Sequence, residues 1–256
     1  MDLGLKGKTV LITGASKGIG LACAKTFALE GCNLHLASRD PAKLEEAKNE
    51  IAKIAKVSVT LHPADLSKGT VVKALVAACG PLDVLVNNAG AIPGGSVTAI
   101  DEARWRESWD LKVFGYINMV REVLPGMVER KAGVIVNVIG MAGVKPSAEY
   151  ICGAAGNAAL IAFTKGVGTG STNDGVRVLG VNPTSTRTDR IIALSKTRAQ
   201  KQFGDESRWE ELLTNMPFGR IAEAQEVADV VAYCASNKAS YLSGTVIDID
   251  GGAQFR

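Results

Sequence analysis

Eight residues near the start of the chain, Thr13-Gly14-Ala15-Ser16-Lys17-Gly18-Ile19-Gly20, stand between a short apolar run and a helix-like segment. Their chemistry is that of the backbone. Gly14 permits a tight turn, and Gly18 lets the main chain approach an anion with no Cβ in the way. Gly20 lets the following helix lie close on a sheet. A helix that begins here offers free N–H groups and the positive end of its dipole to a phosphate. A glycine triplet alone is a weak signal. Placed between a strand and a helix at the start of a βαβ unit, it reads as a cradle for a dinucleotide pyrophosphate.

That cradle needs a sheet to carry it, and the chain supplies the runs. Apolar segments rich in β-branched residues recur at Thr9–Ile12, Asn33–Ala37, Val57–His62, Val84–Asn87, Val134–Val138, Arg177–Val181 and Thr245–Ile249, separated by helix-like stretches. Continuous apolar strands alternating with helices predict a parallel sheet covered on both faces. Right-handed crossovers make it an α/β, Rossmann-like doubly wound sheet of about seven strands. No repeat or linker divides the chain, so residues 1–256 are expected to form one dinucleotide-binding domain. The charged stretch Asp189–Asn215 interrupts the pattern between the sixth and seventh runs. It is expected to be an insertion over the carboxyl ends of the strands, placed to act as a substrate lid or as a plain surface hairpin.

The spacing T-G-x-x-x-G-x-G, with motifs at further strand ends, resembles the short-chain dehydrogenase/reductase family over nearly the whole chain. Asp65-Leu66 is similar to that family's adenine-contacting pair, and Asn87-Asn88-Ala89-Gly90 to its NNAG motif. Asn182-Pro183 matches its N-P-G turn and Asp250-Gly251-Gly252 its terminal DGG, while Thr188 matches a cofactor-contacting threonine. The resemblance implies that Gly14, Ser16, Lys17, Gly18, Ile19, Gly20, Asp65, Leu66, Asn88, Ala89, Gly90, Asn157, Pro183 and Thr188 contact a nicotinamide dinucleotide. Thr184, where the family usually has glycine, departs from the pattern.

Charge decides which dinucleotide. An NAD site needs a carboxylate at the end of the second strand for the ribose 2′-hydroxyl. Here that place reads Ala37-Ser38-Arg39-Asp40. Ser38 takes the carboxylate's position and Arg39 follows it, and a guanidinium pairs well with a 2′-phosphate. Lys17 adds a second positive charge. NADP(H) is therefore expected over NAD(H), which remains the alternative because a one-residue shift would bring Asp40 to the ribose.

The proton-transfer residues depart further. The resemblance implies an Asn–Ser–Tyr–Lys set, in which the tyrosine exchanges a proton with the substrate oxygen. Aligned without gaps on Ala142-Gly143 and Ala158-Ala159-Leu160, the Ser, Tyr and Lys positions hold Gly140, Gly153 and Asn157, and the Asn position holds Asp110. A second register, shortening the loop, makes Tyr150 the acid, with Ala154 at the Lys position. Reduction of a carbonyl by hydride needs a proton donor, because an unprotonated alkoxide in a dry site is costly. Tyr150 and Asp110 are the candidate catalytic residues, with Lys145 and Glu149 behind them. Each also has an ordinary structural reading, as a packed ring, a helix cap or a solvated charge.

Three functions fit this pattern. The first is an NADP(H)-dependent oxidoreductase with non-standard acid–base residues, acting on a small carbonyl, enone or imine. The others are a dinucleotide-binding protein without hydride transfer and a non-redox enzyme on the same scaffold. A formal charge of +3 with no basic run argues against a nucleic-acid partner. No membrane span or signal peptide is expected, and the five cysteines, an odd number without CxxC spacing, read as reduced thiols of a cytoplasmic protein. With two histidines in the chain, no metal site is expected. Trp105 and Trp109, four apart, share a helix face. In the family that helix builds a subunit interface, so a homodimer or homotetramer is expected; core packing is the alternative.

Overall fold

Alternation along the first strand shows how the sheet acquires two covered faces. In the computed structural model, which describes residues 1–255, Val10 and Ile12 of β1 (Thr9–Thr13) point into one core and Leu11 into the other. The same division holds along β2 (Asn33–Ser38), where Leu34 and Leu36 join the first core and Ala37 the second. With β3 (Val59–Pro63), β4 (Val84–Asn87), β5 (Gly133–Val138), β6 (Val176–Pro183) and a last strand, these form a seven-stranded sheet. Every pairing within it is parallel. The short strands β7 (Thr186–Arg187) and β8 (Ala222–Glu223) pair with each other, so the last strand of the large sheet is β9 (Val246–Ile249). The order β3-β2-β1-β4-β5-β6-β9 reverses direction between β1 and β4. That reversal opens a crevice at the carboxyl ends of the strands, where such folds bind ligands.

The helices α1 (Gly18–Leu29), α2 (Pro41–Ala52), α3 (Gly69–Cys79), α4 (Glu102–Trp109), α5 (Gly115–Glu129), α6 (Ile151–Gly170), α7 (Asp189–Phe203) and α8 (Ala224–Ala235) complete the layers. Residues of α1, α2 and α8 close one core, while α3, α5 and the inner side of α6 close the other. α6 has the length and composition to cross a membrane. Here its small residues bring it down onto the sheet: a Cβ at Gly168 would stand 2.1 Å from the Val178 carbonyl oxygen.

The boundaries of every strand of the large sheet but β4 differ from those expected: β1 and β2 run one residue further, to Thr13 and Ser38, and β5 starts one residue early, at Gly133. β3 starts at Val59 rather than Val57, because it is an edge strand whose ladder begins where Leu34 of β2 stands opposite. β6 runs on to Pro183 because β9 pairs with it that far, and β9 itself begins one residue late, at Val246. Between α4 and α5 the chain does not break but winds as a π-helix over Asp110–Phe114. The 189–215 stretch is helical: Thr188 caps α7 by accepting from the Ile191 N–H, and a 3-10 segment over Glu206–Leu213 packs back on it.

Candidate active site

The glycine loop has the conformation its sequence anticipates. Gly14 and Gly18 have φ of 65° and 56°, in the left-handed region. Gly20 is fixed by contact: a Cβ there would lie 2.2 Å from the Gly14 carbonyl oxygen. α1 begins with no side-chain cap and no acidic residue in its first turn. Its leading N–H groups and dipole are thus left to an anionic ligand. The Asn88 side chain donates to the Thr13 and Gly14 carbonyls at 3.1 and 3.2 Å, and the Thr13 hydroxyl accepts from the Asn88 and Ala89 N–H groups. These bonds tie the turn after β4 to the loop after β1.

Together they border a cleft of about 690 Å³ at the carboxyl ends of the strands. Of the anticipated cofactor residues, Gly14, Ser16, Lys17, Gly18, Ile19, Ser38, Arg39, Leu66, Asn88, Ala89, Gly90, Pro183 and Thr188 line it. Gly20 lies beneath it as a packing contact. At its outer end Lys17 and Arg39 are both exposed, and the Ser16 and Ser38 hydroxyls share a 2.9 Å hydrogen bond. Asp40 is occupied elsewhere, as the N-cap of α2, where it accepts from the Lys43 N–H at 3.1 Å. Asp65 turns to the Ser67 N–H and hydroxyl, at 3.2 and 2.9 Å. Burial pushes its pKa up, but these bonds and the charges of Lys68 and Arg39 more than offset that and hold it below the ordinary value.

The other end of the cleft is built by the end of β5 and the π-helix. Val138, Ile139, Leu111 and Lys112 line it. Lys112 had no role in the sequence reading. The wider winding of the π-helix is a feature frequent at functional sites. Lys112 Nζ donates to the Ile139 carbonyl at 2.7 Å and sits 5.9 Å from the Tyr116 ring centroid. Asp110, two residues before it on the same segment, is exposed and does not line the cleft. The Tyr116 hydroxyl is buried and donates to the Val138 carbonyl, and burial pushes its pKa up.

Gly140, Gly153, Asn157 and Tyr150 form a connected row beside this end. Gly140 has φ 132°, a conformation that favours glycine. Its N–H donates to Asn182 Oδ1 at 3.3 Å, and its carbonyl accepts from Asn157 Nδ2 at 3.3 Å. The buried Asn157 keeps its Oδ1 without a protein partner. Tyr150 stands at the N-cap of α6 with its ring across Gly153. A Cβ on Gly153 would fall 2.1 Å from Tyr150 Cε1 and 2.7 Å from its hydroxyl oxygen, so the ring fills the space a residue-153 side chain would enter. That ring packs on the cluster of Ile92, Ile100, Cys152, Trp105 and Trp109, and Tyr150 is not among the residues lining the cleft. The two tryptophan rings lie 6.4 Å apart in the same cluster, with Trp109 Nε1 donating to the Cys152 carbonyl. Lys145 donates to the Ala253 carbonyl at 2.9 Å, and Glu149 is exposed.

The site fits a dinucleotide in its details: a glycine cradle that a Cβ would fill, an uncapped helix N-terminus and exposed cations at one end. Comparison with known proteins agrees. A family model described as short chain dehydrogenase matches residues 8–199. A 2-keto-3-deoxy-L-fuconate dehydrogenase of Xanthomonas campestris is 33% identical over 250 residues, covering 97% of this chain and 80% of that protein. A 3-oxoacyl-(acyl-carrier-protein) reductase of Staphylococcus aureus is 32% identical, with 96% and 97% of the two chains covered. Among solved structures, the L-sorbose reductase of Gluconobacter frateurii, in complex with NADPH and L-sorbose, superposes with a TM-score of 0.92 at 30% identity, covering 98% of each chain. Strand order, glycine loop and chain-length similarity converge, and the chain belongs to the short-chain dehydrogenase family.

Proposed function

We propose that the protein is an NADP(H)-dependent oxidoreductase of a small organic carbonyl, enone or imine, working in the cytoplasm with non-standard proton-transfer residues. The observation that carries this reading is the cleft itself, a complete phosphate cradle with Arg39 and Lys17 at the end where a 2′-phosphate belongs. Asp40, the one carboxylate that would favour NAD(H), is committed to capping α2. The relatives named above include an NADPH complex and enzymes whose names describe them as reductases or dehydrogenases.

When bound, the reduced dinucleotide would supply the hydride that the substrate accepts. Gly14, Ser16, Lys17, Gly18 and Ile19 hold its pyrophosphate side; Ser38 and Arg39 hold the 2′-phosphate. Leu66 walls the adenine, while Asn88, Ala89, Gly90, Pro183 and Thr188 hold the inner half. Asn157, bonded through Nδ2 to the Gly140 carbonyl and with its buried Oδ1 unpartnered, stands behind this half of the cleft rather than in its lining. In this reading Gly140, Gly153 and Asn157 stand where relatives carry Ser, Tyr and Lys. Tyr150 supplies the proton from across Gly153, and the Lys112 ammonium stabilises developing negative charge on the substrate oxygen. Asp110, turned to solvent, serves the segment's structure. The α7 insertion, whose Asp189 and Ala193 line the cleft, forms the substrate-side wall.

A screen of NADPH oxidation against carbonyls, enones and imines tests this reading. Turnover with one class, lost in Lys112→Met and Tyr150→Phe at unchanged NADPH affinity, is the expected result. The packing of Tyr150 in an apolar cluster outside the cleft lining favours a second reading, a dinucleotide-binding protein without hydride transfer. Tight NADPH binding with no turnover across the panel would select it.

A further inference from the structure

The chain's two histidines, 27 positions apart, meet in space beside a cysteine from a third element. His35 lies on β2 and His62 on the edge strand β3, whose register puts His62 opposite Ala37. Alternation turns both rings to the face covered by α3, and Cys79 is the last residue of that helix. His35 Nδ1 stands 2.8 Å from His62 Nε2, and Cys79 Sγ is 3.8 Å from the same Nε2. All three ligand atoms lie within 4.8 Å of one another.

We propose that His35, His62 and Cys79 form a binding site for one borderline-soft divalent transition-metal ion of the zinc type, with water completing a tetrahedron. Bond lengths of about 2.0–2.1 Å to nitrogen and about 2.3 Å to sulfur set ligand separations of roughly 3.3–3.6 Å. The observed spacing brackets that range, so side-chain adjustments of about an ångström seat the ion. Imidazole and thiolate are the donors such an ion selects over calcium or magnesium. The carbonyl end of α3, where Cys79 sits, carries the negative end of the helix dipole and favours a cation. Both imidazoles are half-buried, which leaves a route for a hydrated ion and room for the water.

The two imidazoles are held in the neutral, ligating form, whereas the thiol must be deprotonated by the ion. Burial lowers the pKa of both histidines, and that of His62 falls further beside His35, so both rings are neutral near pH 7. One proton lies in the contact between the two facing nitrogens. On binding, that ring changes tautomer and carries its proton on the other nitrogen. The Cys79 thiol, whose pKa burial raises to about 12, gives its proton to solvent, so one proton leaves per ion bound. The ion would fasten the edge strand and α3 to β2, beside Ala37 and Ala64 of the cleft wall.

The test uses the full-length protein stripped with a chelator. Titration with Co²⁺ should give one equivalent, with tetrahedral visible bands and a thiolate-to-cobalt charge-transfer band in the near ultraviolet. Because no other histidine exists in the chain, imidazole ligation can come from His35 and His62 alone, and Cys79→Ser identifies the thiolate among the five cysteines. Zn²⁺ should displace Co²⁺ and raise the thermal midpoint. Cys79→Ser should abolish the charge-transfer band, and His62→Gln should weaken Zn²⁺ binding by about a hundredfold or more, since even outer-shell changes cost about 10–100-fold. Absence of a charge-transfer band in the wild type, or Zn²⁺ affinity unchanged in His62→Gln, would overturn the proposal. The wild-type spectrum alone decides the matter should a variant fail to fold.

Discussion

At the outer end of the cleft, between β1, α1 and β2, recognition rests on the backbone. Gly14, Gly18 and Gly20 shape it, an uncapped helix supplies its donors, and the charged side chains Lys17 and Arg39 lie at the rim in solvent. At the inner end, between β5, the π-helix and α6, the proposed chemistry depends on side chains that reach across elements. Lys112 arrives from the π-helix, and Tyr150 lies over Gly153 from the previous turn. A backbone cradle tolerates little substitution because every atom is also structural. An array of side chains can be rebuilt from neighbouring positions while the fold stays as it is. The first end therefore keeps its family motifs, and we read the second as rebuilt.

The largest effect is expected at the inner end, from Tyr150→Phe. As proton donor, Tyr150 contributes about 10²–10⁴ in rate. Steady-state turnover should fall by that range while NADPH affinity holds; full turnover would remove Tyr150 from the chemistry. Gly153→Ala should lower turnover in the same direction, because its Cβ meets the Tyr150 ring at 2.1 Å and displaces it.

The outer end should respond in stability as well as binding. In Gly20→Ala the new Cβ collides with the Gly14 carbonyl, and overpacking of this kind costs about 1–3 kcal/mol. Denaturant unfolding should show that loss together with weaker binding of either dinucleotide. Arg39→Ala should be selective instead. An exposed charge-assisted contact is worth about 1.4 kcal/mol, so NADPH affinity should drop about tenfold and NADH affinity should stay constant.

The smallest effect concerns neither end. His35 and His62 have folded-state pKa values below the ordinary 6.5, first because of burial. Below about pH 6.5 the unfolded chain binds protons that the folded chain refuses, so stability is full above that value and declines as pH falls through the folded pKa. The thermal midpoint of chelator-stripped protein should drop on acidification from about pH 7 to pH 5, and His35→Gln should flatten the profile.

Much of this was legible because local rules produce it. The parallel sheet followed from apolar runs between helices, and the glycine loop from residues whose spacing serves turn, approach and packing. Ser38 and Arg39 were found in the cleft from their position at a strand end. Asp40 was ambiguous by one residue until its bond to the Lys43 N–H showed it to be a helix cap. Lys112 went unassigned because a π-helix leaves no composition signal that separates it from an α-helix, yet it turns a different residue toward the cleft. The Trp105–Trp109 pair lay on one helix face as its spacing required, but only tertiary contacts place it against Tyr150 and Cys152. The trio His35, His62 and Cys79 was invisible for the same reason, since strand register and helix packing, not spacing, bring it together.

Parallel equilibrium titrations of the protein with NADPH and NADH decide whether the cleft is kept for NADP(H). Saturable NADPH binding about tenfold or more tighter than NADH binding is the predicted result. Failure to bind either dinucleotide, or NADH affinity equal to or above that of NADPH, would contradict it.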